Sequence, residues 1–215
     1  MKILVTGFDP FDKDIINPAY EAVKKLPDTI KDTQIIKLEI PTSFERSKKA
    51  IEDTIEKYNP DVVLSIGQAG GRNEITVEKV AINLIEARIK DNDGNQPLGT
   101  PVRQDGETAY FTNLPIKGIV SHIKENNIPA TISYTAGTFV CNSVMYNILY
   151  LINKKYPNLK GGFIHVPFLP EQAVLKNPMP SSMSLEMIAK AIELSIEAII
   201  LNKEDNNLVS GETNA

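Results

Sequence analysis

Short apolar runs recur along this chain, each followed by a stretch in which apolar residues return every three to four positions. The runs are Lys2–Phe8 (KILVTGF), residues 34–41, residues 61–66 (DVVLSI), residues 130–134 and residues 162–166 (GFIHV). A strand that is apolar on both faces needs cover on both, and strand-helix-strand units join parallel neighbours. The rhythm therefore predicts an α/β fold, with a mostly parallel twisted sheet and helices on both faces.

Helix boundaries carry their own signals. Asn17 before Pro18 caps a helix over residues 18–26, whose Ala19, Ala22, Val23 and Leu26 share a face, and Ser43 caps a second over 43–58. Further helices are expected over 115–125, 141–155 and 184–203. Residues 75–89 predict one long strand that interrupts the alternation. Asp91-Asn92-Asp93-Gly94 then predicts a turn opening a hairpin or surface arm to about Gly106, a candidate subunit contact or pocket lid.

Composition narrows the partners. A length of 215 residues with 42% apolar and 23% charged side chains fits one domain over residues 1–204, and the polar stretch 205–215 is expected to be disordered. A net charge of -4 without a basic run leaves nothing to attract a phosphate backbone, so nucleic acid is not an expected partner. The first apolar run ends at Thr6-Gly7, too short for an export signal, and nowhere do about 18 apolar residues run together, so neither is a membrane. A single cysteine forms no internal disulfide, and a reducing, cytoplasmic setting is expected.

That cysteine, Cys141, would ordinarily be an inert small hydrophobe. Its context is Thr135-Ala136-Gly137-Thr138-Phe139-Val140-Cys141-Asn142, small residues leading from a strand into a helix. Free N–H groups at a helix start favour a thiolate and can receive an oxyanion. Of the two histidines, His122 lies among Ser121, Lys124 and Glu125 and reads as a solvated surface residue, whereas His165 ends an apolar strand, where open α/β sheets place their sites. The third partner is open. Glu78 interrupts the apolar stretch Ile75-Thr76-Val77-Glu78-Lys79-Val80, where alternation puts it on one face with Val80 and Ile82, yet Lys79 or a distant arginine would pair with it as well as His165. Gly67-Gln68-Ala69-Gly70-Gly71-Arg72 matches no phosphate-loop pattern and reads as a tight turn shaping a pocket wall. One cysteine and two histidines without ligand spacing make no metal signature.

Four of these segments, in this order, resemble the bacterial pyrrolidone carboxyl peptidases, or pyroglutamyl peptidases type I: residues 67–72, Val77-Glu78-Lys79-Val80-Ala81-Ile82-Asn83, residues 135–142, and residues 161–170 (GGFIHVPFLP). Thr6-Gly7-Phe8-Asp9-Pro10-Phe11 extends the likeness to the N-terminus. The resemblance implies a three-layer α/β/α sandwich of the phosphorylase/hydrolase type, a cytoplasmic homotetramer, no cofactor and no metal. It implies a peptidase that removes N-terminal pyroglutamate, with Cys141 as nucleophile, His165 as base and Glu78 as its orienting carboxylate. It also implies that Phe8, Phe11, Thr42, Phe139 and Val140 line the ring pocket, that Gln68 bonds the lactam, and that Arg88 stabilises the oxyanion or holds Glu78 and its loop. Asp12-Lys13-Asp14 stands where the family has a glycine-rich turn, and Tyr134 where asparagine is frequent.

Overall fold

A computed structural model describes residues 1–201, so the expected disordered tail and the last residues of the proposed domain lie outside the described part. In chain order the elements are β1 (Lys2–Phe8), α1 (Pro18–Lys25), β2 (Thr29–Ile30), β3 (Thr33–Ile40), α2 (Phe44–Tyr58), β4 (Val62–Gln68), β5 (Ile75–Glu78), β6 (Val80–Ile82) and β7 (Ile85–Glu86). They continue with β8 (Leu98–Thr100), β9 (Ala109–Phe111), α3 (Ile116–Glu125), β10 (Ala130–Ser133), α4 (Val140–Lys154), β11 (Lys160–Val166), α5 (Pro170–Ala173) and α6 (Leu185–Ile200).

Seven strands form the central sheet in the order β10-β5-β11-β4-β1-β3-β2. The middle four, β11, β4, β1 and β3, are parallel, as their apolar runs require. β5 runs antiparallel to β11, and β10 follows β5. Alternate residues of each strand feed two cores. Ile3, Val5, Leu64, Ile66, Ile164 and Val166 pack against Ala22 of α1, Ile119 of α3 and Ile192 of α6. Leu4, Val63 and Phe163 face the other way, against Ile51 of α2 and Val144 and Ile148 of α4. The architecture is the expected three-layer α/β/α sandwich.

Both expected helix caps form: Asn17 Oδ1 accepts from Ala19 N at 3.1 Å, and Ser43 Oγ from Arg46 N at 3.2 Å. The long strand over 75–89 is a different matter, because the chain changes partners at Lys79. Its N–H donates to Ser133 O at 2.7 Å, on the β10 side, while its carbonyl accepts from Thr112 N at 3.1 Å. β5 therefore stops at Glu78, and β6 pairs with β9 in a separate ribbon. Glu78 is buried and does not share a continuous face with Val80 and Ile82, which are half-buried.

The turn after residue 90 is pinned. Asp91 is buried, accepting from Phe44 N at 3.1 Å, Asp93 N at 3.0 Å and Asn95 N at 2.8 Å, so it anchors the turn to the start of α2. His122, expected on the solvated surface, is instead half-buried between helices, its Nε2 3.3 Å from Glu197 of α6.

Candidate active site

The cross-strand register places the imidazole and the carboxylate together. His165 pairs with Thr76 and Ile164 with Val77 across the antiparallel β11/β5 ladder, so Glu78 lies diagonally across from His165 on the same sheet face. Long side chains reach each other along that diagonal, and His165 Nδ1 stands 2.7 Å from Glu78 Oε1. A carboxylate only accepts, so the proton sits on Nδ1 and the lone pair on Nε2.

Arg72 completes this group from the other side. Gly71, at a φ of +97°, makes the turn that only glycine adopts without strain, and the chain returns toward β5. Arg72 Nη1 donates to Glu78 Oε1 at 2.6 Å and to Thr76 Oγ1, while Nη2 donates to Thr135 O at 3.0 Å. Glu78 is fully buried. Burial alone would raise its pKa, but the hydrogen bond and charge of His165, the Ser133 hydroxyl and Arg72 together bring it below the ordinary value. Oε2 has no partner within hydrogen-bonding geometry among the described residues.

Cys141 stands in the first turn of α4, its second residue, near the helix N-terminus as expected. Phe139, at the N-cap, supplies no side-chain acceptor, so the first-turn N–H groups remain uncapped beside the thiol. The residue is half-buried. β4 admits it by way of Gly67, where a Cβ would stand 3.0 Å from Sγ and 2.7 Å from the Phe163 ring. Burial and the Glu78 charge push the thiol up to about 12, against the opposing pull of Arg72 and of the residue's own backbone N–H. Burial pushes His165 down, opposed by Glu78. Both shifts favour a neutral thiol and a neutral imidazole at rest.

Both groups open into one cleft of ≈ 400 Å³, whose lining includes Phe11, Gln68, Arg88 and Phe139. The aromatic wall is packed from behind: the Phe139 ring lies 6.4 Å from Phe11 and 5.3 Å, edge-on, from Phe44. Three expected pocket residues do not reach the lining. Phe8 packs on Phe163 at 6.3 Å within the core, Val140 is fully buried there, and Thr42 is buried and tied to Asp9 through its backbone N–H at 2.6 Å. Their residue types suit a pocket wall, but Phe8 and Val140 belong to the core cluster and the Thr42 hydroxyl is turned to Asp9 O at 3.2 Å. Arg88 sits exposed at the rim; Glu78 is held by Arg72, not by Arg88. Nothing in the chain's pattern marks Arg72 beyond its place after two glycines. Among the described residues, no three His, Cys, Asp or Glu side chains converge as a metal set, and no helix is long and apolar enough to cross a membrane.

A half-buried cysteine at a helix start, an imidazole and a buried carboxylate, set on an α/β sandwich, define the class of thiol hydrolases. Comparison with known proteins is more specific. Residues 1–202 match the Pyroglutamyl peptidase family, Peptidase_C15. The pyrrolidone-carboxylate peptidase of Clostridium perfringens strain ATCC 13124 is 59% identical over 211 residues, covering 98% of this chain and 99% of that protein. The solved pyroglutamyl peptidase I of Bacillus amyloliquefaciens is 45% identical and superposes with a TM-score of 0.93 over 98% of this chain and 99% of its own. The pyrrolidone carboxyl peptidase of Thermococcus litoralis, 37% identical, superposes at 0.91 over 97% and 99%. The chain belongs to the pyroglutamyl peptidase family.

Proposed function

We propose that this chain performs its family's hydrolysis, removing an N-terminal pyroglutamyl residue from peptides, through Cys141, His165 and Glu78. The observation that carries the assignment of roles is the 2.7 Å bond from His165 Nδ1 to Glu78, at a cleft that also receives Cys141.

The chemistry follows from the two neutral groups. As Cys141 Sγ attacks the pyroglutamyl carbonyl carbon, its proton passes to His165 Nε2, and Glu78 stabilises the imidazolium that forms. The carbonyl electrons move to oxygen, where the uncapped N–H groups of the first turn of α4 receive the charge, with Arg88 at the rim as a second donor. The C–N bond then breaks, and Nε2 returns its proton to the departing amine. Water attacks the thioester, giving a proton to Nε2; the C–S bond breaks and Sγ takes that proton back. No cofactor or metal enters any step.

The ring pocket suits a neutral lactam. Phe11 and Phe139 supply flat apolar walls and Gln68 an amide that matches the ring amide. Phe8 and Val140 belong to the core cluster against which Phe139 packs.

Cytoplasmic location and a homotetramer are part of the same reading. Ile15, Val174 and Leu175 are strongly exposed on two segments tied by Lys176–Asp14 at 2.8 Å and Gln172–Ile16 O at 3.2 Å, an apolar patch of the kind that subunits cover. Sedimentation of the purified protein tests the assembly.

Hydrolysis of a chromogenic pyroglutamyl amide, run beside the prolyl amide and with Cys141→Ser, tests the reaction. Release from the pyroglutamyl compound alone, abolished by the serine change, is expected. A folded, reduced protein that releases nothing overturns the reading.

A further inference from the structure

A polar cluster beside the cleft has its donor and acceptor sense fixed from one end. The backbone N–H of Leu169 can only donate, and it donates to Gln172 Oε1 at 3.0 Å. Gln172 is buried at 4% exposure, so its Nε2 must face the other way. There it meets Asp14 Oδ2 at 3.0 Å and Ile16 O at 3.2 Å, both obligate acceptors, and Gln68 Oε1 at 2.9 Å. The third contact decides the orientation of Gln68. With its oxygen held by Gln172, Gln68 has only its Nε2 left to offer; that nitrogen donates to Asp14 Oδ2 at 3.4 Å and has no other hydrogen-bond partner among the described residues, so its second N–H is available to a ligand. Lys176 Nζ, 2.8 Å from Asp14 Oδ1, braces the carboxylate at the far end.

Gln68 lines the same cleft as Cys141 and His165. A glutamine free to rotate would offer either an oxygen or an N–H to a ligand with nearly equal ease, and so would discriminate poorly. We propose that Gln172 is a positioning residue for specificity, holding the Gln68 amide with its N–H toward the bound ring, so that the cleft accepts a neutral ring bearing a carbonyl at that point. A prolyl ring, with a methylene there and a charged nitrogen, leaves the Gln68 donor unpaired. This rests on the proposed reading of the cleft as a lactam pocket. Asp14 belongs to the same relay, which gives a role to the Asp12-Lys13-Asp14 segment that departs from the family's glycine-rich turn.

The test compares 2-pyrrolidone with pyrrolidine-2-thione, a neutral ring in which a weakly accepting sulfur replaces the carbonyl oxygen. Each is titrated for protection of Cys141 against iodoacetamide, in the native protein and in Gln172→Met. In the native protein the lactam is expected to protect at about tenfold lower concentration than the thione, and in the variant that ratio falls toward one. Steady-state hydrolysis of the pyroglutamyl amide should show KM raised about tenfold in the variant, with kcat within about threefold. A simple loss of packing would weaken both ligands alike and leave the ratio unchanged, which overturns the proposal. If the variant does not fold, a native ratio near one overturns it alone, and a tenfold native ratio supports it. Should the native protein neither hydrolyse the pyroglutamyl amide nor be protected by 2-pyrrolidone, the lactam reading itself falls, and this inference with it.

Discussion

Arg72 donates to Glu78 through the same oxygen that receives His165: Nη1 lies 2.6 Å from Oε1, and His165 Nδ1 lies 2.7 Å from it. The guanidinium therefore does two things to the imidazole. It holds the orienting carboxylate in place, and its positive charge opposes protonation of His165. Arg72→Met should lower kcat/KM by about tenfold or more through the loosened carboxylate. It should also move the acid limb of the kcat/KM profile to higher pH, because His165 loses a repelling charge. A loss of activity with an unmoved acid limb would make Arg72 structural only.

Glu78→Gln should shift the same limb the other way. Glu78 favours the charged imidazole through its hydrogen bond and its charge. Without the charge, His165 stays neutral to lower pH and the limb moves down. The amide also fails to stabilise the imidazolium, so kcat falls by about a hundredfold or more. Opposite displacements in the two variants, measured in one buffer series, would establish that both groups act through His165.

How far the sequence reveals this site differs residue by residue. Cys141 and His165 are legible from local context, a small-residue turn into a helix and the end of a buried strand, because each belongs to an element that local pattern specifies. Glu78 is not, since its partner lies 87 residues away across an antiparallel pairing that no local pattern encodes, and the resemblance to the family supplies it. Arg72 is hidden for a different reason: its partners Thr76 and Glu78 are near in sequence, but the glycine turn that brings its side chain back to them leaves no periodic pattern. The strand over 75–89 misleads because its apolar character continues through Lys79 while its hydrogen-bond partners change there, and side-chain periodicity does not report backbone partners. Phe8 and Val140 have the right chemistry for a pocket wall, yet which side of an element faces the cleft is decided by packing.

The resting thiol makes a prediction on the alkaline side. Cys141 is pushed up to about 12 from an ordinary 9.0, so in the free protein little thiolate exists at neutral pH. The rate of alkylation by iodoacetamide should rise steadily with pH through 9.0, with no plateau in the neutral range. The raised folded pKa also costs stability as pH climbs, because the unfolded thiol releases its proton first. Cys141→Ala should therefore flatten the loss of Tm between pH 9.0 and about 12. An alkylation plateau below pH 7 would mean a preformed thiolate–imidazolium pair instead.

Gly67→Ala tests how closely the sheet approaches the nucleophile. The added Cβ would stand 2.7 Å from Phe163 Cζ and 3.0 Å from Cys141 Sγ, so the ring or the sulfur must move. Overpacking of this kind costs about 1–3 kcal/mol of stability. Because the displaced groups adjoin the thiol, kcat should fall about tenfold or more even in protein that remains folded, a sensitivity that ångström-scale misplacement produces. A variant with lowered Tm and native kcat would show that the clash is relieved by Phe163 away from the site.

Asp91→Ala separates the turn from the cleft. Asp91 accepts three backbone N–H groups, from Phe44 at the start of α2 and from Asp93 and Asn95 in its own turn. Removing it leaves these donors to water or to nothing, and a lost helix cap alone costs about 1 kcal/mol, with each buried unsatisfied donor adding about 1–3 more. A drop of about 2–4 kcal/mol in unfolding free energy is expected by denaturant titration. Asn92, which bonds Pro10 O at 2.9 Å, sits on the same turn, so release of the turn also loosens the loop that carries Phe11. KM should therefore rise while kcat is kept, since the reacting groups on β5, β11 and α4 do not depend on the turn. A fall in kcat with native KM would contradict that separation and place the turn in the support of the reacting groups.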